Sequence, residues 1–173
     1  LVAPTASCVE VRAQRWGAWG GTAVAGLGVA AIALWSVWFY ADHEHQRASL
    51  PQDFRTRIAA ANSAIRLNPY NEAYRTSLGL VYKELFVEAL RQATQAVAAG
   101  RDPKPYRDVA LRAFRDAETA LRGAIGFSPY EYDNYVAVAV LYNLAGNAYR
   151  DPDYFERALA AAAPRFDGCI HVL

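Results

Sequence analysis

The sequence lacks the short motifs that announce chemistry. It has no G-x-G-x-x-G, no P-loop, no H-E-x-x-H, no C-x-x-C and no G-x-S-x-G, so no motif points to nucleotide phosphate, zinc or an activated serine. Methionine is absent, which implies a chain that has been processed or that is part of a longer protein. Lysine occurs only at Lys83 and Lys104 among 18 basic residues, a usage that suggests the coding bias of a GC-rich bacterium. An excess of either charge is missing too. The net charge is +1, and beyond Ala41 16 acidic residues balance 16 basic ones. This balance excludes a basic nucleic-acid face and argues against a polybasic lipid-binding patch. Cysteine is sparse: Cys8 and Cys169 lie on opposite sides of a long apolar run and read as free thiols. No window alternates with period two, so no strand is predicted.

Charge and proline are both missing from Trp19 to Ala41, WGGTAVAGLGVAAIALWSVWFYA. An uncharged apolar run of this length predicts a transmembrane helix. From Trp19 to Trp38 a helix covers about 28 Å, close to the ~30 Å hydrocarbon core. Trp16 and Trp19 at one end, and Trp35, Trp38, Phe39 and Tyr40 at the other, suit the headgroup level. The competing reading, the core helix of a soluble globule, gives no reason for aromatics at both ends. We therefore expect a tail over 1–16 and a span over 17–41. Arg12 and Arg15 precede the span, which places the N-terminus in the cytoplasm and the remainder in the periplasm of a bacterial inner membrane. Phe39-Tyr40-Ala41 offers no small-residue cleavage site, so the span reads as an uncleaved anchor. The residues before Cys8 do not form a lipobox, because the apolar run follows that cysteine. Gly17, Gly21 and Ala25 are four apart, as are Gly20, Val24 and Gly28, and small faces of this kind let a partner span approach. No His, Asp, Glu, Lys or Arg interrupts the run, so it offers neither an ion relay nor an obvious axial ligand.

After the span, 42–50 (DHEHQRASL) reads as a polar juxtamembrane linker or a continued helix, with His43 and His45 solvated. From Pro51 onward, apolar positions recur at three and four. They predict five helices, broken at Asn68-Pro69, Gly100 to Pro105, Ser128-Pro129 and Asp151-Pro152, and ending at Pro164. Pro51 suits a first helical turn, and Asn71, Asp151 and Asp153 suit helix caps.

The chain also repeats itself. Residues 54–82 align without gaps on 114–142, sixty positions on, with Phe, Arg, Ala-Ile, Pro-Tyr and a final Tyr preserved. Ala64-Ile65-Arg66-Leu67-Asn68-Pro69 followed by Leu78-Gly79-x-x-Tyr82 resembles the tetratricopeptide repeat. The second copy keeps Ala117, Ala124, Pro129, Ala139 and Tyr142. The resemblance covers about 50–163 and implies helical hairpins that bind proteins. It implies repeat-packing roles for Ala64, Pro69, Gly79, Tyr82, Ala124, Pro129, Ala139 and Tyr142. Two departures stand out: the period is 60, so the connecting helices are lengthened, and Arg57 and Arg91 replace small residues. A span followed by such a domain is also similar to the C-terminal tail of O-antigen ligase and polymerase-like glycosyltransferases. That likeness would make this chain the non-catalytic end of an enzyme.

Tyrosine is the one enriched residue type, and Tyr70, Tyr130 and Tyr132 at the hairpin turns are candidates for partner contact. Glu84 and Glu88 read as a solvated face. Cys169 and His171 read as tail residues without a positioned third group. The expectation is an all-α protein with one N-terminal transmembrane helix, a tetratricopeptide-like domain of about five helices over 51–164, and a tail over 165–173. We expect no catalysis, no cofactor, no metal and no nucleic acid. Its partners would be the lipid bilayer and other integral membrane subunits, as in an accessory or assembly subunit of a photosynthetic or respiratory complex.

Overall fold

The computed structural model describes the backbone of residues 7–163 and the side-chain environments of residues 23–163. The tail over 165–173, with Cys169 and His171, lies outside the described residues. Six helices follow one another: α1 (Ser7–Ser49), α2 (Phe54–Leu67), α3 (Glu72–Ala98), α4 (Lys104–Phe127), α5 (Tyr132–Tyr149) and α6 (Pro152–Ala162). The described residues contain no strand, and the protein is all-α with one N-terminal apolar helix.

The chain divides into two units, 1–40 and 41–173. In the first, every described side chain from Ala23 to Tyr40 is exposed. Val24, Leu27, Val29, Ile32 and Trp35 each leave about 70% of their surface open. The segment Ala23–Ser49 is long and apolar enough to cross a membrane, with mean hydropathy 1.8, and its apolar window is 0% buried. A soluble core helix would have that window covered, so this geometry overturns the core-helix reading.

The second unit begins inside α1. Ala41, Glu44 and Ala48 are buried on one face of its last turns, at a spacing of three and four. Residues 42–49 are thus packed helix, not a solvated linker. Ala41 joins Ala64 and Tyr74 in one small cluster, and Ala48 joins Ala60 and Ala61 in another. Alanine stripes let helices approach closely but bury little area. A larger core lies between α3, α4, α5 and α6, around Phe86, Phe114, Leu121, Leu141 and Tyr142. Each fully buried large side chain there is worth ~1.5–3 kcal/mol. Successive helices run antiparallel: Phe86 meets Phe114 at 5.7 Å between ring centroids, and Gly79 meets Leu121 further along the same pair.

Local chemistry sets the helix ends. Helix α2 begins at Phe54, so Pro51 lies before its first turn, and Asp53 caps it, accepting from the Thr56 amide at 3.0 Å and its hydroxyl at 2.6 Å. Asn71 accepts from the Ala73 amide at 3.1 Å to start α3. Asp151 accepts from the Asp153 amide at 3.0 Å, so only the first of those two aspartates is a cap. Gly100, at φ 67°, closes α3 while the Arg101 amide donates to the Ala96 carbonyl at 2.8 Å. A left-handed residue with a bond back five positions ends a helix cleanly, and glycine takes that conformation without strain.

Candidate functional surfaces

The internal repeat survives as geometry. Asn68 and Ser128 end their helices at φ −138°, ψ 86° and φ −131°, ψ 80°. Their amides donate to the Ala64 and Ala124 carbonyls at 2.9 and 3.0 Å. At matching positions six residues beyond each proline, the Arg75 guanidinium donates to the Pro69 carbonyl at 3.2 Å and the Tyr135 hydroxyl to that of Pro129 at 2.9 Å. Ala64 and Ala124 are fully buried. Pro69 and Pro129 are exposed, so they act by ending helices and lending carbonyls, not by filling the core. Gly79 is buried so tightly against α4 that a Cβ there would lie 2.5 Å from Leu121 Cγ. Tyr82 packs half-buried on the main core, Tyr142 is 1% exposed and Ala139 is half-buried.

The candidate span residues divide by position. Trp16, Gly17, Trp19 and Gly21 belong to α1, but their side-chain environments lie outside the described residues. Ala25 is exposed, and a Cβ at Gly28 would meet nothing within 4 Å. Trp35, Trp38 and Tyr40 are 70%, 46% and 53% exposed. The Ser36 hydroxyl donates to the Ile32 carbonyl at 2.8 Å, the internal satisfaction a polar side chain needs in an apolar medium.

Tyr70 and Tyr130, at equivalent turns, are 82% and 86% exposed, and Tyr132 is 51% exposed. Few side chains of this size are so open in the second unit. His45 departs from its expected solvation: its ring lies 5.0 Å from that of Tyr74, and its Nδ1 is buried. The Tyr74 hydroxyl donates to the Asp42 carboxylate. Burial first, then that bond, pushes the Tyr74 phenol up to about 12. Arg57, which breaks the repeat pattern, donates from Nε to the Ala48 carbonyl at 2.8 Å and pairs with Glu84 at 2.6 Å. It therefore pins the end of α1 to α2 and α3.

Glu84 and Glu88 of α3 are engaged with arginines. Glu88 accepts from Arg91 at 2.6 and 2.8 Å and from Gln92 at 2.8 Å. These bonds, Arg91 first, hold its carboxyl down at about 2. A carboxylate so stabilised is a poor proton shuttle near neutral pH. No cluster of three or more metal-ligating acids, histidines or cysteines occurs among the described residues.

Two surfaces escaped the sequence reading. One is an apolar groove of about 500 Å³ between α5 and α6, lined by Val136, Ala139, Val140, Phe155 and Leu159. The corresponding face of α3 is covered, with Gly79 under Leu121 and the Thr76 hydroxyl bonded to Asn134 at 2.6 Å. The other is a trough between α1 and α2 lined by Arg47, Arg55 and Arg66. Arg55 and Arg66 are eleven residues apart, three helical turns, and that period was the available signal. Comparison with family models, curated proteins and solved structures returns no match to this chain.

Proposed function

We propose that this protein is a non-catalytic, membrane-anchored interaction subunit. The helix over 17–41 spans the bacterial inner membrane with its N-terminus in the cytoplasm. The tetratricopeptide-like helical unit stands in the periplasm and docks onto a larger membrane complex. An energy-transducing assembly, photosynthetic or respiratory, suits a small subunit without cofactors. The observation that carries the reading is the contrast between an apolar helix with every described side chain exposed from 23 to 40 and a second unit that has a core of its own. So large an exposed apolar surface in water would be an aggregation hazard, and in lipid it is simply solvated. The exposed tyrosines at both repeat turns, Tyr70 and Tyr130, support a protein partner.

Two measurements test this. Arg101→Cys, in a background carrying Cys8→Ser and Cys169→Ser, should be labelled by a membrane-impermeant maleimide in intact spheroplasts. Labelling only after lysis would invert the topology. In native gels of mild-detergent extracts, the 19.0 kDa chain should migrate within a complex several times its mass. Tyr70→Ala/Tyr130→Ala should release it from that complex. A lone monomer in the unaltered membrane would sink the subunit reading.

A further inference from the structure

A third concavity lies wholly within the second unit, between the end of α4, α5 and α6. Its volume is about 440 Å³, and Arg122, Ile125, Tyr135, Val138, Arg157 and Ala160 line it. Small-molecule sites typically occupy roughly 300–1,000 Å³. We propose that this recess binds a small organic carboxylate with an aromatic or branched apolar body. Its apolar wall is Val138, 2% exposed, with half-buried Ile125 beside it. Space remains because Gly126, Ala160 and Ala161 add little bulk, and a Cβ at Gly126 would meet nothing within 4 Å.

The polar wall is cationic. Arg122 donates from Nε to Glu118 at 2.9 Å and from Nη2 to the Tyr142 hydroxyl at 2.8 Å. Those bonds fix the guanidinium and leave three of its five N–H donors for a ligand. No ion pair among the described residues involves Arg157, whose guanidinium sits 5.7 Å from the Tyr154 ring centroid. No carboxylate among the described residues lines the recess. With Glu118 set against Arg122, one positive charge is left over, which matches a carboxylate and falls short of a phosphate monoester's charge. A carboxylate also meets an arginine fork with two oxygens at once. The apolar wall selects the rest of the ligand, because a bare anion would leave Val138 and Ile125 facing water. A neutral hydrocarbon would instead strip water from a guanidinium and replace none of its hydrogen bonds. Packing common to both repeats does not explain the recess. Sixty positions earlier, Asn62 and Arg66 stand in place of Arg122 and Gly126, and the Asn62 amide donates to the Ile58 carbonyl at 2.9 Å.

The test titrates the full chain, in a neutral detergent, with 3-phenylpropionate and reads binding by isothermal calorimetry. Saturable binding below about 1 mM is expected. Arg157→Gln breaks no ion pair and should weaken it at least about tenfold. Gly126→Leu sends a side chain into open space and should abolish binding while the helical circular dichroism stays unchanged. Arg112→Gln, an exposed arginine outside the recess, should leave the titration as it was. The absence of saturable binding would overturn the proposal. So would equal binding of the neutral 3-phenylpropanamide, which removes the charge, or of acetate, which removes the apolar body. Unaltered binding in both Arg157→Gln and Gly126→Leu would place the ligand elsewhere and overturn it too. Tighter binding of a tripeptide ending in phenylalanine would assign the recess to a protein C-terminus and overturn the free acid. Every lining residue belongs to the second unit, so the outcome stands apart from whether the helix over 17–41 spans a membrane.

Discussion

The α2–α3 hairpin and the α4–α5 hairpin share a sequence pattern, a turn conformation and a prolyl carbonyl bonded by the residue six positions on, yet they are stabilised differently. The first packs on the end of α1 through Ala41, Ala48, Ala60, Ala61 and Ala64, and adds polar bonds from Tyr74 to Asp42 and from Arg57 to Ala48 and Glu84. The second packs through aromatic rings, Phe114 against Phe86, Tyr142 and Tyr154. Alanines bury little area, so the first hairpin depends more on directional bonds. Aromatics bury much, so the second depends on volume. One repeated pattern thus supports a unit whose two ends should respond to different perturbations.

The sharpest way to break that contrast is at equivalent phenylalanines. Phe114 is 4% exposed within the main core, while its counterpart Phe54 is only half-buried beside Arg57. Phe114→Ala should cost about 3–5 kcal/mol by urea unfolding in detergent, and Phe54→Ala less than about 2 kcal/mol. Equal losses would mean that the two copies carry equivalent cores after all.

Much of this contrast was hidden in the sequence, for physical reasons. The five helices and their breaks were legible because proline, Asn71 and Gly100 act locally, and because periodicity of three to four marks one buried face. The apolar helix was legible from composition alone. The packing of 42–49 was not, because DHEHQRAS is polar in composition, and only the spacing of Ala41, Glu44 and Ala48 shows a buried face. Arg57 looked like a defect in the repeat, and its partners on α1 and α3 are far away in sequence. The three arginines of the trough and the five groove residues of α5 and α6 become neighbours only through tertiary packing. Charge counts and single-helix patterns carry no such information.

Tyrosine hydroxyls sharpen the comparison at intermediate cost. Tyr74 donates to Asp42, and Tyr142 donates to Glu118 at 2.5 Å while accepting from Arg122 at 2.8 Å. Tyr74→Phe and Tyr142→Phe should each cost about 1.5–3 kcal/mol, the range for bonds to charged groups. Their pH profiles should differ. Burial and the Asp42 carboxylate raise the Tyr74 phenol to about 12. Burial and Glu118 also raise Tyr142, but the Arg122 guanidinium opposes them. A group whose folded pKa is raised stabilises fully below its unfolded value, near 10 for tyrosine, and loses that contribution as pH climbs through the folded value. Stability should therefore fall between about pH 10 and 12, and Tyr74→Phe should flatten that fall more than Tyr142→Phe does. The reverse order in alkaline titrations of Tm would overturn the assignment.

The smallest expected effect lies at the matched prolyl carbonyls. Tyr135 gives the Pro129 carbonyl one exposed hydrogen bond, so Tyr135→Phe should cost about 0.5–1 kcal/mol. Arg75 gives the Pro69 carbonyl a longer bond, and its guanidinium also sits 4.4 Å from the Phe127 ring centroid, a contact worth ~0.5–1 kcal/mol at an exposed site. Arg75→Ala should therefore exceed Tyr135→Phe by about that contact. Phe127→Ala should erase the excess, because Arg75 would then have only the carbonyl left. A double-mutant cycle between Arg75 and Phe127 reads the coupling directly. A coupling of zero would mean that Arg75 serves its turn alone, as Tyr135 does, and that the first hairpin is not tied to the end of α4 through this pair.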